Sequence, residues 1–152
     1  MRRGKYGIML LVILFDQIVK AAVRSAFEPW ESIDVLGSFF GLTYVQNKGA
    51  AFSLMSGATA FLIIIPLAAI VLGIWYMEKH PNEHFSFYLS LALVIGGGVS
   101  NLIDRMVAGY VTDMFDFHFW PVFNVADIAI CVGCGILIIY ILKYHGKTKD
   151  EL

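Results

Sequence analysis

Residues 58–77 read ATAFLIIIPLAAIVLGIWYM, without a single formal charge. A bilayer core is crossed by roughly 20 mostly apolar helical residues rising about 1.5 Å each, and this stretch has that length. Residues 6–23, 85–103 and 122–142 are also long and apolar enough. The 85–103 stretch is again uncharged, whereas 6–23 contains Asp16 and Lys20 and 122–142 contains Asp127. The whole chain agrees: of 152 residues 59% are apolar and 15% charged, against about a quarter charged in an ordinary soluble domain. A soluble cytosolic enzyme of this size would need more polar surface. The net charge of -1 offers no basic field, so no nucleic-acid partner is expected.

The distribution of Lys and Arg orients the spans. Arg2, Arg3, Lys5, Lys79, Lys143, Lys147 and Lys149 fall on one side, and Arg24, Lys48 and Arg105 on the other, so both termini are expected in the cytoplasm. The outer loops are then 24–57 and 104–121. Within the first, IDVLGSFFGLTYVQN mixes β-branched and aromatic residues with Gly punctuation, which reads as two or three short strands on the membrane surface. The expected fold is membrane all-α: four transmembrane helices with a small β-rich outer loop domain, one domain over 1–152. The opening MRRGK and the later AVRSA imitate a secretory signal peptide, but Asp16 and Lys20 interrupt its would-be apolar core, so the first span is expected to be retained. The final Lys-Asp-Glu-Leu spells an ER retrieval address, yet on the cytosolic side it reads as a solvated charged end. There is no internal repeat.

Ionisable residues inside a membrane cost roughly 2.5 to 3.5 kcal/mol each to insert, so each is a functional candidate. Asp16 and Lys20 lie in the outer half of the first span, and Asp127 is expected about 7 Å below the outer end of the fourth. Asn101, Asp104 and Arg105 sit at the outer end of the third span, Asn47 on the first outer loop, Asp113 and Asp116 on the second, and Asn124 one turn above Asp127. All of them face the outer interface. Asp16 and Lys20, at i and i+4 with the acid first, are expected to pair. Asn101 and Arg105 repeat that spacing; Arg105 either bridges Asp104 or contacts substrate.

Asp113 and Asp127 form the sharper pair. Both could face one water, and two close carboxylates sharing one proton supply a general base and a general acid near neutral pH, chemistry that suits amide hydrolysis. The plainer alternative makes Asp113 a solvated loop charge and Asp127 a carboxylate stabilised by the helix dipole. Other catalytic sets fit less well. His80 and His84 are four apart, but Pro81 breaks their helix and the segment is cytosolic, so no zinc pair is expected. Ser100 in GGGVSN lacks a nucleophile elbow and reads as a small packing residue. Cys131 and Cys134, with Gly133 and Gly135, and the Gly96–Gly97–Gly98 run read as close helix approach. No metal or cofactor is expected.

Five segments in order carry a resemblance: DQIVK in the first span, QNKGAAFS on the first outer loop, GGGVSNLIDR ending the third span, GYVTD on the second loop, and FNVAD opening the fourth. On these the chain resembles the lipoprotein signal peptidases, the type II signal peptidases of bacteria. The resemblance implies an aspartyl endopeptidase in the bacterial inner membrane, with its active site at the outer leaflet. It would remove the signal peptide of a prolipoprotein, cutting before a cysteine that carries diacylglycerol. It assigns the catalytic pair to Asp113 and Asp127 and supporting roles to Asn47, Gly49, Ala51, Asn101, Asp104, Arg105, Asn124, Asp16 and Lys20. Membrane lipid is the implied surrounding, and the enzyme is expected to be a monomer. Met114 stands where the family usually has Phe, and Gln46 where Arg is common. Asp116 is the rival to Asp113, but the preceding Gly109 and Val111 favour Asp113. The loop 34–55, rich in Gly, is expected to close over the site. A different class, a small proton-coupled carrier relaying through Asp16, Lys20 and Asp127, would need polar groups across the full thickness, and the inner halves of the spans lack them.

Overall fold

The computed structural model describes residues 4–49 and 58–144; Ala51, Gly57, residues 50–55 of the expected covering loop and the Lys-Asp-Glu-Leu end lie outside them. The element order is α1 (Gly4–Ala26), β1 (Ser32–Leu36), β2 (Phe40–Asn47), α2 (Ala58–Lys79), α3 (Phe85–Ala108), β3 (Val111–Asp116) and α4 (Val125–Tyr144). Four helices are long and apolar enough to cross a membrane. Exposed side chains such as Leu11, Ile64, Leu72, Ile139 and Leu142 line their outer surfaces, as expected where lipid rather than water is the solvent.

Helix α3 is the centre of the bundle, and its glycines show why. A Cβ on Gly97 would lie 2.5 Å from the Ala126 carbonyl oxygen of α4, and one on Gly133 of α4 would lie 2.7 Å from the Ser90 carbonyl oxygen of α3. The two backbones therefore approach as closely as small residues permit, the usual way membrane helices gain packing. Gly135, by contrast, faces open space, and Cys131 and Cys134 are exposed. The expected small-residue seam on α4 is thus carried by Gly133, not by the cysteines. Beneath the contact lies an apolar core of Met9, Ile70, Met77, Phe87, Ala92, Ile95 and Leu102.

The end of the bundle away from the strands is tied by polar contacts. Lys5 Nζ lies 2.5 Å from Glu78 Oε1, joining α1 to α2, and the Tyr140 hydroxyl donates to Glu83, joining α4 to the segment before α3. At the opposite end sits a three-stranded antiparallel sheet in the order β1-β2-β3. Two strands come from the first loop as expected, but the third comes from the second loop, which sequence reading leaves as coil. Its partner is far away along the chain: Val45 pairs with Asp113 and Asn47 with Val111. Local pattern does not reveal such a pairing. Gly109, at φ 77, ends α3 with its N–H donating to the Arg105 carbonyl and turns the chain into β3.

Two boundaries differ in ways that matter for the site. Helix α3 runs on to Ala108, so Asp104 and Arg105 are helical rather than on a loop. Helix α4 begins at Val125 and not at 122, which places Asp127 in its first turn, nearer the end of the bundle than expected. The described part of the first loop, up to Gly49, carries the paired hairpin of β1 and β2.

Candidate active site

Asn124 and Asp127 begin the site because they begin α4. The Asp127 N–H donates to Asn124 Oδ1 at 2.9 Å and the Asn124 N–H donates to Asp127 Oδ2 at 3.1 Å. This reciprocal pair is a capping box, with Asp in place of the usual Glu, and it satisfies two backbone donors that the first turn leaves open. The amide nitrogen of the same Asn124 donates to Asp113 Oδ1 at 2.7 Å and to Asn101 Oδ1 at 3.1 Å. One capping residue thus contacts both carboxylates, the one on β3 through its side chain and the one on α4 through its backbone N–H.

Two further amides aim at the pair. Asn47 Nδ2 donates to Asp113 Oδ2 at 2.9 Å, and its own Oδ1 accepts from the Gly49 N–H at 2.8 Å. Gly49 can do this because it adopts φ +77, where a side chain would be strained, and a Cβ there would meet Leu62 at 2.5 Å. Asn101 Nδ2 donates to Asp127 Oδ1 at 2.9 Å. Its oxygen must face the other way, because Lys20 Nζ donates to it at 2.9 Å.

Asp113 is 2% exposed. Burial pushes its carboxyl up to about 6 and the nearby Asp127 charge adds to this, against the hydrogen bonds from Asn47 and Asn124 and the Lys20 charge. It opens on a cleft of about 630 Å³ lined by Trp30, Val45, Gln46, Asn47, Lys48, Asp113, Pro121 and Val122. Asp116 turns elsewhere: it accepts from Thr43 Oγ1 at 3.0 Å and from the His118 N–H at 2.7 Å, both within the sheet end. Met114, the departure beside Asp113, packs against Val23 and Tyr44 beneath the sheet.

Behind the pair lies a buried ionic group. Lys20 Nζ is 2.7 Å from Asp16 Oδ2 and 3.0 Å from Asp104 Oδ2, and neither Asp16 nor Lys20 has any exposed surface. The expected pairing of Asp16 with Lys20 therefore forms, with Asp104 as a third member. Arg105 does not bridge Asp104. Among the described residues it has no ion pair, and it borders an apolar cavity of about 310 Å³ with Phe61, Leu62, Ile65 and Pro66. The cation that does approach Asp104 from the loop side is Arg24, at 3.8 Å, which also donates to Thr112 Oγ1 at 3.0 Å. Reading Ser100 as mere packing is also overturned. Its hydroxyl donates to Asp16 Oδ2 at 2.6 Å and accepts from Gln17 Nε2 at 3.0 Å.

Gln17, Arg24, Ser100 and Thr112 are the residues that motif reading missed. Arg24 had a signal: Asp16, Lys20 and Arg24 recur every four residues and so share one face of α1. Ser100 and Thr112 had none, since their partners lie on other elements. Among the described residues no buried side-chain nitrogen or oxygen lacks a hydrogen-bond partner, so the network is fully satisfied.

Comparison with known proteins places this arrangement. The family model for signal peptidase (SPase) II matches residues 8–143. The lipoprotein signal peptidase of Moorella thermoacetica is 46% identical over 143 residues, covering 93% of this chain and 95% of that protein. That of Streptococcus pneumoniae is 41% identical over 138 residues, covering 90% of each. A bacterial membrane enzyme solved by the in meso method at 2.3 Å resolution superposes with a TM-score of 0.86 at 27% identity, over 98% of this chain and 93% of that one. The chain is a multi-pass membrane protein and belongs to the signal peptidase II family of bacterial membrane peptidases.

Proposed function

We propose that the chain is an aspartyl endopeptidase that releases the signal peptide of a prolipoprotein by cutting before a diacylglyceryl-modified cysteine, with Asp113 and Asp127 as its catalytic pair. The observation that carries this reading is Asn124, which donates from its side chain to the Asp113 carboxylate and from its backbone N–H to the Asp127 carboxylate, beside a cleft lined by Asp113. Asn47 and Asn101 each supply a donor to one member, holding both carboxyls in set orientations. An ionised member takes a proton from a water that attacks the scissile carbonyl, while the protonated member hydrogen-bonds the carbonyl oxygen. Collapse of the tetrahedral intermediate breaks the C–N bond, and the leaving amine nitrogen takes up the proton that the base accepted from the water. Burial and Asp127 raise Asp113 to about 6, which suits a proton held and surrendered near neutrality.

The distribution of Lys and Arg along the sequence, seven on one side of the spans against three on the other, supports cytoplasmic termini and a site at the outer leaflet of the cell membrane. The carrier alternative gains no support, because Met9, Ile70, Ile95 and Leu102 fill the bundle below the polar cluster. The test uses purified protein and a lipidated precursor. Asp113→Asn and Asp127→Asn should each abolish cleavage in folded protein, Asp116→Asn should retain it, and chelators should have no effect. A live Asp113→Asn with a dead Asp116→Asn would overturn the assignment.

A further inference from the structure

Two buried carboxylates that make no contact with the catalytic side chains grip the chain immediately before each of them. Asp104 Oδ2 accepts the backbone N–H of Thr112 at 3.0 Å, one residue before Asp113. Asp16 Oδ1 accepts the backbone N–H of Ala126 at 2.8 Å, one residue before Asp127. Lys20 lies between the two grips, 2.7 Å from Asp16 Oδ2 and 3.0 Å from Asp104 Oδ2. Its third donor is spent on Asn101 Oδ1 at 2.9 Å, which turns the Asn101 amide onto Asp127.

We propose that Asp16, Lys20 and Asp104 act as a yoke that sets the separation and mutual orientation of Asp113 and Asp127, making these three positioning residues for the reaction. The inference rests on the dyad reading above. It follows from connectivity: β3 belongs to the sheet and α4 to the bundle, and the yoke links their backbones next to the reacting groups. On the other side, the same segments are joined by the Phe115–Phe123 bridge, with N–H to oxygen distances of 2.8 and 3.2 Å. With both links in place the two carboxyls cannot drift apart. A lysine suits the centre because an ammonium presents three donors to three acceptors, whereas a planar guanidinium does not match that arrangement. Charge balance is completed by Arg24, 3.8 Å from Asp104. Ser100 and Gln17 hold the carboxylates from behind: Ser100 donates to Asp16 Oδ2 at 2.6 Å and Gln17 to Asp104 Oδ1 at 2.9 Å.

The experiment measures kcat and KM on a lipidated precursor for Lys20→Met, Lys20→Arg, Asp16→Ala, Asp16→Asn, Asp104→Ala and Asp104→Asn, with unfolding in detergent recorded for each. Misplaced catalytic groups lower kcat and spare binding, so Lys20→Met and the two Ala variants should lose about 100-fold in kcat with KM within about threefold. The Asn variants keep an oxygen for the backbone N–H and should recover about tenfold of that loss, while Lys20→Arg should not recover it. The double variant Asp16→Ala/Asp104→Ala should be little worse than either single one, because opening one end already frees Lys20. A rise in KM at unchanged kcat, Asn variants as impaired as Ala, or additive losses would each overturn the yoke. If an Ala variant fails to insert, the Asn variants decide, and a loss in them equal to that of Lys20→Met overturns it. Asp113→Asn run alongside separates the two readings. If it is active the dyad is wrong, and if it is dead while Lys20→Met is fully active only the yoke is wrong.

Discussion

Within the proposed pair, Asp113 is the residue on which the expected pH behaviour turns. Its carboxyl is protonated below about 6 and ionised above, so if it is the protonated half of the pair, hydrolysis declines as pH rises well past that midpoint. Its raised value also marks a cost to folding. Stability associated with this group is full below its ordinary value of 3.8 and is lost as pH rises through about 6. Replacing Asp127 by Asn removes a negative neighbour and should lower the Asp113 midpoint, though not to the ordinary value, because burial persists. Carboxyl-carbon NMR titration measures this directly, and an unmoved midpoint would place Asp127 out of electrostatic reach. Gly49 makes a second prediction at this scale. With φ at +77 and Leu62 in the path of a Cβ, Gly49→Ala should cost about 1 kcal/mol or more in stability. It should also loosen Asn47, lowering kcat by about tenfold. A variant with wild-type kcat would show that Asn47 does not depend on this turn. Motif spacing alone singled out both Asn47 and Asp113, but it left Asp116 as a rival. The hydrogen bonds of Asp116 to Thr43 and His118 show the difference between the two, and those depend on the sheet.

At the scale of elements, the contact between α3 and α4 presents the first turn of α4, with Asp127, to the sheet. Gly97 and Gly133 both lie in that contact, but only Gly97 meets the first turn of α4, at Ala126. Gly97→Ala and Gly133→Ala should each destabilise by about 1–3 kcal/mol through overpacking. Gly97→Ala should in addition depress kcat strongly, since any shift at Ala126 is passed to Asp127 one residue on. Thermal unfolding and turnover measured on both variants check the contrast, and equal catalytic losses would show that α4 moves as one rigid body. The four helices were legible because length and hydropathy are local properties. Strand β3 was not, because VTDMFD is a short and partly polar stretch whose identity as a strand comes from pairing with Gly41–Asn47, remote in the sequence.

For the whole molecule, the consequence of the architecture concerns the substrate. Asp127 lies in the first turn of a membrane-spanning helix, so under the proposed mechanism the scissile bond must be brought to the interface by something anchored there. Acyl chains contribute roughly 0.8 kcal/mol per buried CH₂, so a diacylglyceryl group would hold the neighbouring peptide bond at that level while its tails remain in lipid. An unlipidated precursor should be cut far more slowly than the lipidated one, and replacing the substrate cysteine by Ser should abolish cleavage. Equal rates would return the enzyme to a general membrane aspartyl protease. Amino-acid sequence by itself determined the number of spans, the gathering of polar residues toward one end, and the pairing of Asp16 with Lys20, because hydropathy and helical periodicity act over one or a few turns. Tertiary structure alone decided that Arg24 rather than Arg105 approaches Asp104, that Ser100 braces Asp16, and that Asp16 grips Ala126. Those partners stand 84 and 110 residues apart for Ser100 and Ala126, a separation at which no local pattern speaks and only the packing of whole elements brings donor to acceptor.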